Sequence, residues 1–371
     1  MYLKNITFNN FKNLSGTSNL SDGINILVSP NGTGKTNFLE GMYYLTFGNS
    51  FRNGLEVNNA SWDSRGDYFT LKGEIDDKDE GVQVEMRYEN SNGPGKKRFL
   101  VNEVGRKRDT FRGYISPVIF APQTVDLVSG SPDGRRKAVN DVLSILDPDY
   151  SRLLNEYRSV VRNRNKILSN LQNNIGMESE LTYWNEALIK LGGDIVFGRL
   201  KFFRGNAKII LERAKDLFNG EIKGLKINYA TKFLEDKKIT RKKIISNFEQ
   251  KIRNNIRKEI LAGVTLYGPH REDYDFLLEK MSLKESGSRG QQRLASFIFV
   301  LSLLDELDKK DRSVVLLLDD VMSELDKSHR KNIEKLLSSI STQMVITSAE
   351  EANFTKGFLN KSTRIKNFLE D

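Results

Sequence analysis

The stretch VSPNGTGKTNFLE, Val28 to Glu40, constrains this chain more than any other. An aliphatic run, GINILV, leads into it, and TNFLEGMYYLTFG leaves it with helical spacing through Phe38, Met42 and Leu45. Strand, glycine-rich loop and helix in that order make a phosphate cradle. Small residues such as Gly32 and Gly34 let backbone N–H groups wrap an anion, Lys35 supplies positive charge, and Thr36 offers a hydroxyl to Mg²⁺. Pro30, Asn31, Thr33 and Asn37 complete the loop. The strict pattern G-x-x-x-x-G-K-[ST] fails only at Ser29, where the entry glycine belongs. A serine held in left-handed backbone there costs on the order of 1 kcal/mol, which several phosphate hydrogen bonds offset.

A phosphate loop of this kind needs a second strand bearing a carboxylate, and SVVLLLDD provides one. Its aliphatic residues place Asp319 at the end of a buried strand, positioned to hold Mg²⁺. Adjacent buried carboxylates repel unless a cation is near, so Asp320 reads as the candidate general base that orients water. A third motif, SGSRGQQRLASFIFVLSLL, puts Ser288, Gly290 and Gln291 at the start of a helix whose apolar face carries Leu294, Phe297, Ile298 and Leu301. Its place shortly before the aspartate strand is the arrangement of the ATP-binding-cassette signature, which in that superfamily closes over the γ-phosphate held by another protomer.

The chain has 371 residues, 38% of them hydrophobic, enough for two or three domains with real cores. With no cysteine and only His270 and His329, neither a disulfide framework nor a thiolate or imidazole metal cluster is expected. The N-terminal MYLKNITFNNFKNL is polar and the longest aliphatic run, Val314 to Leu318, is far too short to span a membrane, so a cytoplasmic protein is expected. The formal charge of +9 is uneven: residues 199–258 hold 18 lysines and arginines against 6 acids, leaving the remainder at −3. A polyanionic partner, nucleic acid above all, explains this, and a solvated lysine-rich helical surface explains it equally. Arg106 to Asp109 and Arg135 to Lys137 are open to the same two readings.

Residues 68–120 read as short strands with turns between them. From Pro132 the texture becomes helical, with stripes through Leu153, Tyr157, Val160, Arg164, Ile167, Leu171 and Ile175, and through Leu181, Trp184, Leu188, Leu191 and Ile195. Two antiparallel helices joined at NNIGMES form a short arm. The organisation expected is one α/β domain split over 1–130 and 262–371, with a helical arm inserted over 131–261.

Eight segments in order carry a closer resemblance: FKNL, NGTGKTNFLEGMYYLTFGNSFR, VIFAPQTVDLVSGSPDGRR, YRSVVRNRNKIL, WNEALIKLGGDIVFGR, YGPHRED, SRGQQR and LLLDDVMSELD. The chain resembles the RecF family of bacterial recombination-repair ATPases over nearly its whole length. The resemblance implies an α/β, ABC-type P-loop ATPase head of mixed β-sheets with helices, carrying an inserted, mainly helical arm domain. It places Lys12 and Asn13 near the nucleotide, Gln123 in the loop that senses Mg²⁺ and the γ-phosphate, Asp326 in the loop that crosses a dimer interface, and Thr347 with Ser348 on the switch strand. It further implies ATP and Mg²⁺ as cofactors, an ATP-dependent homodimer on DNA, DNA-stimulated hydrolysis, and support of recombinase loading at single-strand gaps with RecR and RecO as partners, with no membrane involved. Asp320, one methylene shorter than a glutamate, and the absent switch histidine make slow turnover the expectation. Ser29, Lys12 for arginine, Glu272 for aspartate and the ending RRKAVN depart from the family pattern. His270, a lone histidine among charged neighbours, reads as a structural hydrogen-bonding residue.

Other readings fit less of the chain. A structural-maintenance protein needs a far longer arm, a transporter ATPase a switch histidine, and a nuclease fusion a further acidic domain. An interaction module that has lost ATP chemistry draws on Ser29 and Lys12.

Overall fold

The structure, a computed structural model, describes residues 1–52, 56–61, 67–76, 81–90, 95–111, 114–217, 224–233, 240–308, 313–323 and 327–366. The chain forms two compact units, one from residues 1–125, 216–221 and 296–371, the other from 126–215 and 222–295. In chain order the first unit contributes β1 (Tyr2–Phe11), β2 (Leu14–Asn19), β3 (Ile24–Val28), β4 (Tyr68–Asp76), β5 (Val82–Glu89), β6 (Lys96–Val101), β7 (Val104–Arg106) and β8 (Ile115–Phe120). Strands β9 (Lys226–Ala230), β10 (Asp273–Leu278) and β11 (Met281–Ser282) belong to the second unit, and β12 (Ser313–Leu318), β13 (Gln343–Ser348) and β14 (Ser362–Arg364) return to the first.

Two sheets build the first unit. One is antiparallel, in the order β2-β1-β4-β5-β6-β7, and the other parallel, in the order β14-β3-β13-β12-β8. Every residue of β12 and β13 is buried, as expected for parallel strands covered on both faces. The helix Lys35–Phe47 packs against β1, β4 and β5 on one side and β8 and β13 on the other, so it is buried on nearly every face, its few polar side chains included. Close approach requires Gly41, where a Cβ would stand 2.4 Å from the Phe8 ring. The buried Gln343 amide adds a polar tie between the sheets: its side chain exchanges hydrogen bonds of 3.0 and 2.8 Å with the backbone of Leu3 and donates to the Ser21 carbonyl at 2.7 Å.

Strands β3 and β12 both run parallel to β13, between them. Their carboxyl ends, one carrying the glycine-rich loop and the other the aspartate pair, therefore emerge at the same edge of the sheet, where α/β folds place ligands.

The second unit is mainly helical, with long helices Pro132–Leu146, Pro148–Gln172, Leu181–Leu217 and Arg241–Ala262. It is larger than the 131–261 insert read from sequence, because β9 within that insert pairs with β10 beyond it and draws 262–295 into the same body. The buried stripe of Pro148–Gln172 is Leu154, Tyr157, Val160, Arg164 and Leu168, so Leu153, Ile167 and Leu171 are only half-buried and Ile175 is 60% exposed. Arg164 fixes that rotation. Its guanidinium is fully buried and reaches Glu259 at 2.5 Å, Asn185 at 2.8 Å and Thr265 at 2.9 Å. The expected stripe on Leu181–Leu217 holds at Leu181, Leu188 and Ile195, which are buried, while Trp184 and Leu191 are half-buried.

Candidate nucleotide site

The loop after β3 closes on the side chain of Lys35. The Nζ donates to the carbonyls of Ser29 at 2.5 Å and Pro30 at 2.8 Å and to Asn31 Oδ1 at 3.3 Å. Burial lowers the affinity of this amine for its proton, and the charges of Asp320 and Asp319 act against that shift. Gly32 and Gly34 take φ of 87° and 103°, left-handed conformations that glycine adopts without penalty. Ser29, by contrast, is not among the residues with positive φ, so the strain expected at the missing entry glycine is not present. Its N–H instead donates to the Ser348 carbonyl at 3.2 Å.

Helix Lys35–Phe47 begins at Gly34 with no side-chain cap and no acidic residue in its first turn. The earliest N–H groups of a helix lack intrahelical acceptors, and the dipole there favours an anion. Asn13 flanks this end, donating to the Thr33 carbonyl at 3.1 Å and accepting from Asn37 at 2.7 Å. A Cβ on Gly34 would lie 2.7 Å from the Asn13 amide, so the loop fits only with glycine there.

The metal-type donors meet at the carboxyl end of β12. Asp319, 4% exposed, accepts from the Thr36 hydroxyl at 2.8 Å and from Thr347 Oγ1, also at 2.8 Å. Thr347 Oγ1 in turn accepts the Asp320 N–H at 3.1 Å, so one hydroxyl on β13 fixes both aspartates. Asp320 has φ of 50°, a strained conformation for a residue with a side chain, and strain of this kind gathers at functional sites. A hydroxyl and a carboxylate are hard oxygen donors of the sort Mg²⁺ takes, usually one or two from protein with water and phosphate supplying the rest. Among the described residues no group of three or more histidine, cysteine or acidic side chains could hold a metal by itself. The loop and the Thr36–Asp319 pair thus fit a nucleoside triphosphate with Mg²⁺, and they do not fit a free-standing metal centre.

Of the residues the sequence singled out, Arg135 and Arg136 take another role, while Lys12 and Gln123 lie on elements next to the loop and the aspartate strand. Lys12, expected at the nucleotide, donates to Glu40 at 2.6 Å, and Glu40 is 1% exposed. Glu40 also accepts from the Ser50 hydroxyl at 2.6 Å and lies 3.5 Å from Arg52, whose Nη1 donates to Asn37 Oδ1 at 3.2 Å. The sequence signal of this knot beside the loop is the lone carboxylate inside FLEGMYYLTF, which needs a cation once buried. Arg135 is buried and bound bidentately by Asp273, and Arg136 donates to the Glu272 carbonyl at 2.8 Å, so both serve the fold of the second unit and not a surface. Gln123 is exposed in the turn Pro122–Val125 after β8, whose Phe120 carbonyl accepts the Asp319 N–H at 2.8 Å.

In the second unit Ser288 and Gln291 cap a helix reciprocally: Gln291 N–H donates to Ser288 Oγ at 3.2 Å and Ser288 N–H to Gln291 Oε1 at 2.9 Å, with Gly290 exposed between them. Asp326 lies outside the described residues. His270 is neutral and structural, as its surroundings in the sequence suggested. Its Nδ1 is 2.6 Å from the Tyr157 hydroxyl, and burial pulls its pKa down to about 4.

A parallel sheet presenting this loop and aspartate strand, backed by an antiparallel sheet across a buried helix, defines an ABC-type ATPase fold. Two head domains of structural-maintenance proteins bound to ScpA share it at TM-scores of 0.51, with 13% and 15% identity. No protein-family model matches the chain. A DNA replication and repair protein RecF from Natranaerobius thermophilus is 30% identical over 364 residues, 95% of this chain and 93% of the relative. Another RecF, from Pediococcus pentosaceus, is 29% identical over 97% of this chain and 96% of its own. A solved structure of the recombination mediator protein RecF with ATP superposes at a TM-score of 0.86 and 27% identity, covering 99% of this chain and 96% of that one. The chain belongs to the RecF family of DNA replication and repair proteins.

Proposed function

We propose that this chain is an ATP-dependent DNA clamp of recombinational repair. The observation that carries the reading is the Thr36–Asp319–Thr347 triangle at the mouth of the glycine-rich loop. Bound there, Mg²⁺ would neutralise charge that develops on the phosphates during transfer to water. The chain's own residues do the rest. Lys35 and the first-turn N–H groups bind the phosphates, Thr36 and Asp319 hold the metal with Gln123, and Asp320 accepts a proton from the attacking water.

Ser288, Gly290 and Gln291 of a second copy then cover the terminal phosphate, with Asp326 at the seam, so that two triphosphates join two protomers. Closure presents basic surfaces that grip duplex phosphates without reading bases. Asp320 is one methylene shorter than a glutamate and Thr347 stands where a histidine would act, so hydrolysis is slow and times the release of DNA. Membership of the family supports action at single-strand gaps with RecO and RecR. Among the described residues no helix is long and apolar enough to cross a membrane.

Fluorescence anisotropy on gapped and blunt duplexes tests the reading. Tight binding with ATP, weak binding with ADP or no nucleotide, and preference for the gap are expected; equal affinity in all three nucleotide states overturns it.

A further inference from the structure

The helix Arg241–Ala262 carries seven basic residues: Arg241, Lys242, Lys243, Lys251, Arg253, Arg257 and Lys258. Its only acids are Glu249 and Glu259, and both are engaged. Glu249 takes Arg253 at 2.5 Å, and Glu259 is buried against Arg164 at 2.5 Å. Arg241 is held by Asp194, a residue of the neighbouring helix Leu181–Leu217. The C-terminal half of the helix, from Lys251 onward, therefore shows Lys251, Arg257 and Lys258 with the exposed amide Asn254 between them and no exposed acid.

A second observation lies beside this face. The Nζ of Lys251 is 5.3 Å from the centre of the Tyr267 ring and that of Lys232 is 5.8 Å from the same centre, while the Tyr267 hydroxyl is fixed to Asn255 at 3.1 Å. A tyrosine ring that draws two ammonium groups collects positive charge at this face, and a positive face favours an anion. Cations alternating with amides along a helix are the groups that contact phosphate oxygens without reading sequence.

We infer that this face, Lys251, Arg257 and Lys258 of the helix with Lys232 beside Lys251 at the Tyr267 ring, is the surface on which the second unit tracks the DNA backbone. The inference rests on the clamp reading and names the residues that would do the gripping. From Lys251 to Lys258 the helix rises about 10 Å, the axial length of about three phosphates of one strand, so these cations can meet neighbouring phosphates of a single backbone. The alternative is that the excess charge only solvates the helix, and the salt dependence of binding separates the two.

The experiment measures ATP-dependent duplex binding between 50 and 300 mM salt for the full chain and for a Lys251→Gln/Arg257→Gln/Lys258→Gln variant whose melting curve matches the parent. Each phosphate contact contributes about 0.9 to the slope of log affinity against log salt, so the variant's slope is expected to flatten by about 2.7 with weaker binding at every salt. Lys208→Gln, a surface cation already paired with Glu212 at 3.7 Å, serves as the control and should leave the slope within about 0.5 of the parent. An unchanged slope in the triple variant, or an equal flattening in the control, overturns the assignment while the clamp itself stands. A parent that binds no DNA with ATP removes both.

Discussion

The hydroxyl of Thr36 lies 2.8 Å from the carboxylate of Asp319, although 283 residues separate them in the chain. One sits at the start of the helix after β3 and the other at the end of β12, so the contact reports that two distant motifs were folded into one site. Removing the hydroxyl leaves a buried carboxylate short of a donor, which costs about 1.5–3 kcal/mol when the acceptor is charged. Thr36→Val is therefore expected to lower unfolding stability by that amount in urea and to raise the Mg²⁺ concentration at half-maximal ATP hydrolysis, with Thr36→Ser close to the parent in both.

The buried Glu40 anchors Lys12 at 2.6 Å beside the phosphate loop. Breaking a buried pair by removing one partner costs about 3–5 kcal/mol, because the other charge is left uncompensated. Glu40→Ala is expected to show a loss near the lower end, since Lys12 can turn to water, and Lys12→Ala a comparable one. Chemical denaturation of both variants checks this, and a loss under 1 kcal/mol for either would show that the pair is dispensable.

Acid titration reads the second unit. The folded pKa of His270 is depressed from 6.5 to about 4, chiefly by burial, so its neutral form is favoured on folding. The stability it contributes is present in full above pH 6.5 and is lost as the pH falls through about 4, up to about 3 kcal/mol. Burial raises the pKa of Glu272, which acts in the opposite sense, so the comparison must be between the parent and His270→Gln. The variant is expected to lose less stability than the parent between pH 7 and 4, measured by urea midpoints. Identical pH slopes would contradict the neutral, buried assignment.

Local chemistry made part of this site legible. The aliphatic runs before Ser29 and Asp319 are strands buried on both faces, a pattern that composition alone carries, and the glycines at 32 and 34 announce left-handed backbone. Long-range pairing was not legible. That Thr347 would hold both aspartates depends on β13 lying between β3 and β12, and that Lys12 would be taken by Glu40 depends on a turn of β1 meeting the middle of a helix. Ser29 shows the reverse case: a motif rule implied strain, and the backbone takes another route. Arg135 looked like surface charge because a buried arginine and an exposed one are written alike, and only its partner Asp273 tells them apart.

Sedimentation velocity with and without Mg·ATP tests the central claim most directly, using the parent and Lys35→Ala, whose missing ammonium now makes three contacts in the loop. The account predicts a parent that is monomeric without nucleotide and dimeric with it, and a variant that stays monomeric throughout. A parent that remains monomeric at saturating ATP, or a variant that dimerises as the parent does, would contradict it.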